Sequence, residues 1–153
     1  MGHIPEGTEW FLAELVMEIT VWGATHNVVH RNLILVRAGT AEEAHQRATY
    51  WGRQGESTYH NPAGQVVEFK FRGISQLDSI IGDIEDGAEI AWKEFQGVPT
   101  DELKRWIPPL EQLAVFMPSP LFAARDPDYS SKDVVDRLAK ELGIKVRGQS
   151  DPS

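Results

Sequence analysis

The sequence lacks cysteine. This absence excludes disulfide bridges, thiolate nucleophiles and every zinc site that is built on cysteine. A cytoplasmic location is the simplest expectation for such a chain. Long apolar runs are absent as well, because Glu14 and Glu18 interrupt the most apolar stretch, residues 10–22. A membrane-spanning helix needs about 20 apolar residues, so the sequence predicts no membrane partner.

Positive charge is scarce in one part of the chain. The formal net charge is -8, and residues 78–102 contain eight carboxylates but only one basic residue, Lys93. Such a segment repels a phosphate backbone, and we therefore expect no binding to nucleic acid. The same segment is a candidate surface for a basic protein partner. The candidate partner-binding residues within it are Asp83, Glu85, Asp86 and Glu89.

Motifs for metal binding and catalysis are also scarce. His26 and His30 lie four residues apart, but in a turn followed by a strand, where four residues span about 13 Å, too far for one zinc ion. The acidic run that starts at Asp83 is similar to a calcium-binding loop, yet Gly87 falls one position early for that motif. The sequence contains no G-x-S-x-G turn and no glycine-rich phosphate loop. It therefore predicts no metal, no cofactor and no catalytic residue, and favours a non-catalytic protein over an enzyme.

Apolar residues recur at every second position from Phe11 to Val21, a pattern that predicts a long strand. After the polar turn "GATHN", residues 28–38 predict a second strand that pairs with the first as a hairpin. Thr40 and Glu43 form a capping box, which predicts a helix over residues 41–54. We expect one face of this helix, which carries Ala41, Ala44, Ala48 and Trp51, to pack on the sheet.

A second hairpin is predicted over "TYHNPAGQVVEFKFRG", because "NPAG" has the chemistry of a turn and Val67, Phe69 and Phe71 alternate with charged residues. Asp86 and Gly87 predict a further turn, followed by another strand over residues 88–95. We expect the apolar residues around this acidic turn to keep it ordered, and they are Ile80, Ile81, Ile84, Ile90 and Trp92. The predicted core consists of Leu15, Met17, Ile19, Phe69 and Phe71 packed on Ala44, Ala48 and Trp51.

The predicted fold class is α+β, with an antiparallel sheet of four to six strands in the order ββαββ plus a further strand. One helix packs on a face of the sheet. A short helix that is capped by Thr100 and stopped by Pro108 follows, and a C-terminal helix capped by Ser130 or Ser131 extends to Gly143. The predicted segments are a flexible leader (1–9), a single α+β domain (10–117), a linker-like segment (118–130), the C-terminal helix (131–143) and a tail (144–153).

Four segments, "WFLAELVMEI", "TAEEAHQRA", "TYHNPAGQVVEFKFRGI" and "IEDGAEIAWKEF", occur in this order between residues 10 and 96. Together they resemble a family of small bacterial proteins that is catalogued only as a domain of unknown function. The resemblance implies a compact bacterial α+β domain. It implies no activity, because the family offers no established catalytic residues to carry over.

Trp10 and Trp22, with Leu12 and Val16, occupy the more polar face of the first strand. They form either a second buried layer or a partner surface, and we expect residues 110–122 or a second copy of the chain to cover them. The sequence thus favours a non-catalytic cytoplasmic binding or interaction module with an acidic surface, such as an inhibitor or immunity-type partner of a basic protein, or a self-associating protein. The alternative is a small enzyme or small-ligand-binding domain with a pocket between the sheet and the C-terminal segment.

Overall fold

The computed structural model describes residues 7–118 and 127–143. Most of the predicted leader and linker, including Leu121 and Phe122, and the whole predicted tail lie outside these residues. The described residues fall into two compact units, of which one comprises residues 7–91 and 127–143 and the other residues 92–118. The boundary at residue 92 was not predicted from the sequence.

The first unit is built on a four-stranded antiparallel sheet with the strand order β2-β1-β4-β3. Its elements, in chain order, are β1 (Trp10–Val21), β2 (Val28–Arg37), α1 (Ala41–Gln54), β3 (Ser57–His60), β4 (Val66–Ile80) and α3 (Lys132–Leu142). The second unit contains α2 (Thr100–Trp106) and two short 3-10 helices, Leu110–Gln112 and Ala114–Phe116. The α+β class and the antiparallel sheet are confirmed.

The predicted further strand over residues 88–95 is wrong, since this part of the described chain contains no strand. Ile90 and Trp92 produced the strand-like alternation, but their side chains are 44% and 71% exposed and contribute no row to the core. The chain instead extends β4 to 15 residues, all the way to Ile80. Period-two alternation predicts a strand only where one set of side chains is buried.

The buried face of the sheet forms because every second residue of β1 from Phe11 to Val21 is apolar and buried. Phe11, Ala13 and Leu15 are buried in one cluster with Ala44 and Ala48 of α1. The start of α1 is fixed by the predicted capping box: the Thr40 hydroxyl accepts a hydrogen bond from the Glu43 amide at 3.1 Å. The Glu43 carboxylate in turn accepts one from the Gly39 amide at 3.0 Å.

The predicted core is largely confirmed, with one error on α1. Leu15, Met17, Ile19, Ala44 and Ala48 are buried, and Phe69 and Phe71 are half-buried. The prediction for Trp51 is wrong, because this side chain is 48% exposed. Gly52 faces the sheet instead, since it continues the spacing of four from Ala44 and Ala48, and a Cβ atom there would lie 2.3 Å from the Phe71 ring.

Replacing Gly52 by Ala should therefore destabilise the protein, although Ala is the better helix former by about 1 kcal/mol. Forcing a methyl group against the Phe71 ring should lower the free energy of unfolding by about 1–3 kcal/mol. Urea melts of Gly52→Ala, of the double variant with Phe71→Leu, and of Gly39→Ala as control measure this effect. At Gly39 a Cβ atom would meet only the Glu43 carboxylate, at 3.7 Å. We expect the double variant to recover part of the loss, and a neutral Gly52→Ala would contradict the close contact.

The C-terminal segment, residues 127–143, belongs to the same unit as the sheet. The Tyr59 hydroxyl donates a hydrogen bond to the Tyr129 carbonyl, and burial, with Asp128 nearby, raises the pKa of Tyr59 to about 12. The predicted helix is confirmed as α3, which follows Ser131 and ends at Gly143 in the left-handed conformation (φ +66°). Val135 and Ala139 are the buried residues of α3.

None of the three helices in the second unit contains a buried residue. Inside it, the rings of Phe95 and Trp106 meet edge to face at 5.0 Å. The predicted short helix is present, but Pro99 occupies the capping position that the sequence assigned to Thr100, which is itself the first helical residue. Large apolar side chains are exposed along it, among them Ile107, Leu110, Val115 and Phe116. The predicted cover of the Trp10 face by residues 110–122 stays a prediction.

Candidate partner-binding surface

An acidic loop, which we define as residues 81–91, follows β4. The turn predicted at Gly87 is present: the Ala88 amide donates to the Glu85 carbonyl at 2.9 Å, and Gly87 adopts a φ of +81°. No strand returns from it within the loop, so the predicted hairpin is wrong. The four candidate carboxylates of the loop are exposed, and none forms an ion pair with a described residue; they are Asp83, Glu85, Asp86 and Glu89.

The isoleucines of this segment do not anchor it as the sequence predicted. Ile80, the last residue of β4, is buried, but Ile81, Ile84 and Ile90 are 77%, 40% and 44% exposed. The prediction failed because the chain leaves the sheet immediately after Ile80 and finds no second strand to pack on. The acidic loop therefore presents apolar and anionic side chains together.

Trp10 and Trp22 lie at opposite ends of β1. Twelve residues of extended chain separate them by about 40 Å, at roughly 3.3 Å per residue. Trp10 pairs with Ile80 at the end from which the acidic loop leaves, and the Arg37 guanidinium lies 5.5 Å from its ring centre. Trp22 is 79% exposed beside the turn between β1 and β2. The predicted site residues thus form two groups, and only Trp10 accompanies the acidic loop.

The second face of the sheet, opposite α1, carries the predicted Leu12 of β1 beside apolar residues of β2 that were not predicted to lie there. Leu12 on β1 is buried, whereas Val29, Leu33 and Leu35 on β2 are 50%, 60% and 42% exposed. Their alternation was visible in the sequence, but it indicated only a strand. Which of the two faces of β2 would remain exposed depends on where α1 packs, and no local pattern shows this.

Ion pairs fill the polar part of this second face. Glu14 pairs with Arg31, as expected from adjacent strands, and also accepts a hydrogen bond from the Ser75 hydroxyl at 2.7 Å. Glu18 accepts hydrogen bonds from the Asn27 amide at 2.6 Å and from Arg72 Nε at 2.9 Å. These two partners lower the pKa of Glu18, Asn27 having the larger effect. The two carboxylates are engaged in cross-strand pairing, which is a structural role.

Two grooves are described, and neither lies between the sheet and the C-terminal segment. The first, of about 290 Å³, lies between α1 and β4 and is lined by His45, Thr49, Arg53, Glu56, Phe71, Arg72, Gly73 and Ile74. The second, of about 420 Å³, adjoins the start of α1 and is lined by Thr8, Glu9, Arg37, Ala38, Gly39, Glu43 and Arg47. In the second groove Arg37 is already paired with Glu9.

The described histidines do not converge. His26 lies beside Thr25 in the turn, and the His30 ring meets the Tyr129 ring edge to face at 5.3 Å. Within residues 7–118 and 127–143 no group of three or more His, Asp or Glu side chains is arranged to hold a metal ion. None of the helices in this part of the chain is long and apolar enough to cross a membrane.

Comparison with known proteins places the chain in a family. No curated protein and no solved structure is significantly similar to it. A family model described as a domain of unknown function, DUF4288, matches residues 10–92. This range contains all four strands, α1 and the acidic loop, and it agrees with the resemblance seen in the sequence. The chain therefore belongs to the DUF4288 family.

Proposed function

We propose that the chain is a non-catalytic binding module of the cytoplasm whose acidic loop captures a basic protein. The observation that carries the proposal is that one loop exposes isoleucines together with carboxylates that form no ion pair with a described residue. A loop that only keeps a protein soluble gains nothing from exposed Ile81, Ile84 and Ile90. A basic partner would satisfy both groups, because it would neutralise the carboxylates and cover the isoleucines.

The two kinds of side chain would act at different stages of binding. Clustered carboxylates speed the encounter with a basic protein, and this steering weakens as salt is added. Buried apolar contacts act mainly by slowing dissociation. Trp10 lies at the same end of the sheet and would extend the surface. An inhibitor or immunity-type protein that blocks a basic target has this chemistry.

The test uses a partner identified by co-purification from the native cell. In the loop variant Asp83→Asn, Glu85→Gln, Asp86→Asn and Glu89→Gln are combined. We expect its association rate to fall about ten-fold or more at low salt, and the difference to shrink at high salt. The pair Ile81→Ser and Ile84→Ser should instead raise the dissociation rate.

A matched control removes the same number of charges elsewhere. It combines four changes at exposed or half-exposed carboxylates without an ion pair to a described residue: Glu42→Gln, Asp101→Asn, Glu111→Gln and Glu141→Gln. We expect a small, uniform decrease in the association rate. If the control and the loop variant slow association equally, the effect is one of net charge and the acidic loop is not the binding surface.

A small-ligand-binding or enzymatic role is the second candidate, and the groove between α1 and β4 favours it. Arg53, which forms no ion pair with a described residue, and His45 line this groove. An anionic metabolite that binds there should raise the melting temperature of the wild-type protein. Arg53→Ala should remove that shift, and the loop variant should retain it. A screen of anionic metabolites that gives no shift would count against this role.

A further inference from the structure

Within the described residues, β2 is an outer strand of the sheet, and no further strand pairs with its free side. Exposed edges present unpaired backbone groups, and proteins normally protect them by making them short, bulged or charged. At the opposite side, β3 has only four residues. β3 pairs only with the first residues of β4, so the rest of β4 is also an edge. This part of β4 is bulged, because Arg72 and Ser75 are extra residues in its pairing with β1. Neither protection is present in the ten residues of β2.

The side chains of β2 add no protection either. Its pairing with β1 continues without a register shift from Val28 to Arg37, and the strand contains no proline. Arg31 and Arg37, its two arginines, are held in ion pairs by Glu14 and Glu9 of the same chain. The edge is therefore long, regular and rich in exposed aliphatic side chains. Such an edge pairs readily with another strand.

We infer that β2 pairs antiparallel with β2 of a second copy of the chain, around a two-fold axis at Asn32. The eight strands of the two copies then form one continuous sheet. This inference goes beyond the proposed function and does not depend on it, because it rests on the backbone edge and side chains of β2, whereas the acidic loop follows β4. The second copy is favoured as the occupant because the sequence of β2 is complementary to itself in one register.

Directly opposed residues in an antiparallel pair point to the same face, so the two-fold axis must pass through a residue and not between two residues. An axis at Arg31 would place two arginines opposite each other. An axis at Ile34 would oppose Arg31 and Arg37, which is also repulsive. An axis at Leu33 would set both arginines against aliphatic residues, Arg37 against Val29 and Arg31 against Leu35. With an axis nearer either end of β2, at most five of its ten residues would pair with the second copy.

The axis at Asn32 opposes no two arginines and leaves one arginine against an aliphatic residue, Arg31 against Leu33, where Arg31 is held by Glu14. It opposes Val29 with Leu35, and Val28 with Val36, so that aliphatic side chains meet on both faces of the sheet. The two Asn32 amides lie opposite each other, where each amide can both donate and accept a hydrogen bond. On the second face, Leu33 of each copy lies opposite Arg31 of the other, and Val29 meets Leu35 on either side of this centre.

The first measurement is the mass of the full chain in solution by light scattering, which should be twice the 17.2 kDa of one copy. Asn32→Cys then tests the register, because the protein has no other cysteine. Opposed α-carbons in an antiparallel pair lie about 4.5–5.5 Å apart, within the range that a disulfide bridges. Mild oxidation should convert most of this variant to a covalent dimer.

Two cysteine controls separate this register from chance encounters. Leu33→Cys should cross-link at least ten times more slowly, because in this register residue 33 opposes Arg31 and its own copy lies more than about 7 Å away. Ser57→Cys, an exposed position on β3, should behave in the same way. Cross-linking of either control as fast as Asn32→Cys overturns the inference.

A charge pair provides the reversible test. Asn32→Asp and Asn32→Lys should each be monomeric, since like charges oppose each other at the axis, and an equal mixture should recover the dimer as a heterodimer. Ser57→Asp and Ser57→Lys should leave the mass unchanged. Asn32 is exposed, and circular dichroism with melting curves verifies that each variant folds. A wild-type protein that is monomeric at every concentration, or an Asn32→Asp protein that remains a dimer, overturns the inference.

Discussion

Replacing Ile19 by Ala is expected to lower the free energy of unfolding by about 2–5 kcal/mol. The Ile19 side chain has no exposed surface, and it forms a cluster with the buried Val21 and Val67. Tyr59 and Tyr129 pack against this cluster from β3 and from the C-terminal segment. Shortening Ile19 removes apolar area at a point where several elements meet. These elements cannot all move inward to fill the space, so a cavity adds to the lost transfer free energy.

The comparison that isolates burial is Ile81→Ala, the same chemical change at a side chain that is 77% exposed. Urea melts at one fixed protein concentration should show a loss below about 0.5 kcal/mol for this control. Keeping the concentration fixed removes any contribution from self-association. If Ile19→Ala loses less than about 0.5 kcal/mol, the register of β1 is shifted by one residue from the one described.

The parts of the fold that the sequence predicted well are set by local chemistry. The apolar residues at every second position of β1 and the pair Thr40 and Glu43 each lie close together in the chain, so they can be recognised without knowledge of the tertiary structure. The error at Trp51 is of another kind. Both Trp51 and Gly52 fit a helical face that includes Ala48, and only the proximity of the Phe71 ring shows which of them packs on the sheet.

For the candidate surface, the sequence predicted the charged residues but not the exposure of the apolar ones. The carboxylates of the acidic loop were found because they lie within seven residues of one another in the sequence and charge counting needs no structure. The exposure of Ile81 and Ile84 could not be found, because it depends on the absence of a pairing strand after Ile80. The contact between Tyr59 and Tyr129 spans 70 residues, and no local pattern indicates it.

Asn61 is the other position where a single change should have a large effect. Its side chain is fully buried and lies in the turn between β3 and β4. The Asn61 amide group donates to the Gln65 side chain and to the Asp128 carbonyl, each at 2.9 Å, while its oxygen accepts from the Gln65 amide at 2.9 Å. One side chain therefore both closes the turn and attaches the C-terminal segment to it.

Asn61→Ala should lower the free energy of unfolding by about 2–4 kcal/mol. The backbone N–H of Gln65 and the carbonyl of Asp128 are partly buried, and both would lose their hydrogen-bond partner. Hydrogen exchange should also quicken in the amides of α3, since the segment that begins at Asp128 would be attached less firmly. The matched control is Asn27→Ala, an exposed asparagine whose side chain forms one hydrogen bond to a described residue, Glu18. We expect a change within about 0.5 kcal/mol and unaltered exchange there. Unaltered exchange in Asn61→Ala would mean that the hydrogen bond from Tyr59 and the apolar contacts of Tyr129 and Val135 hold the segment in place without Asn61.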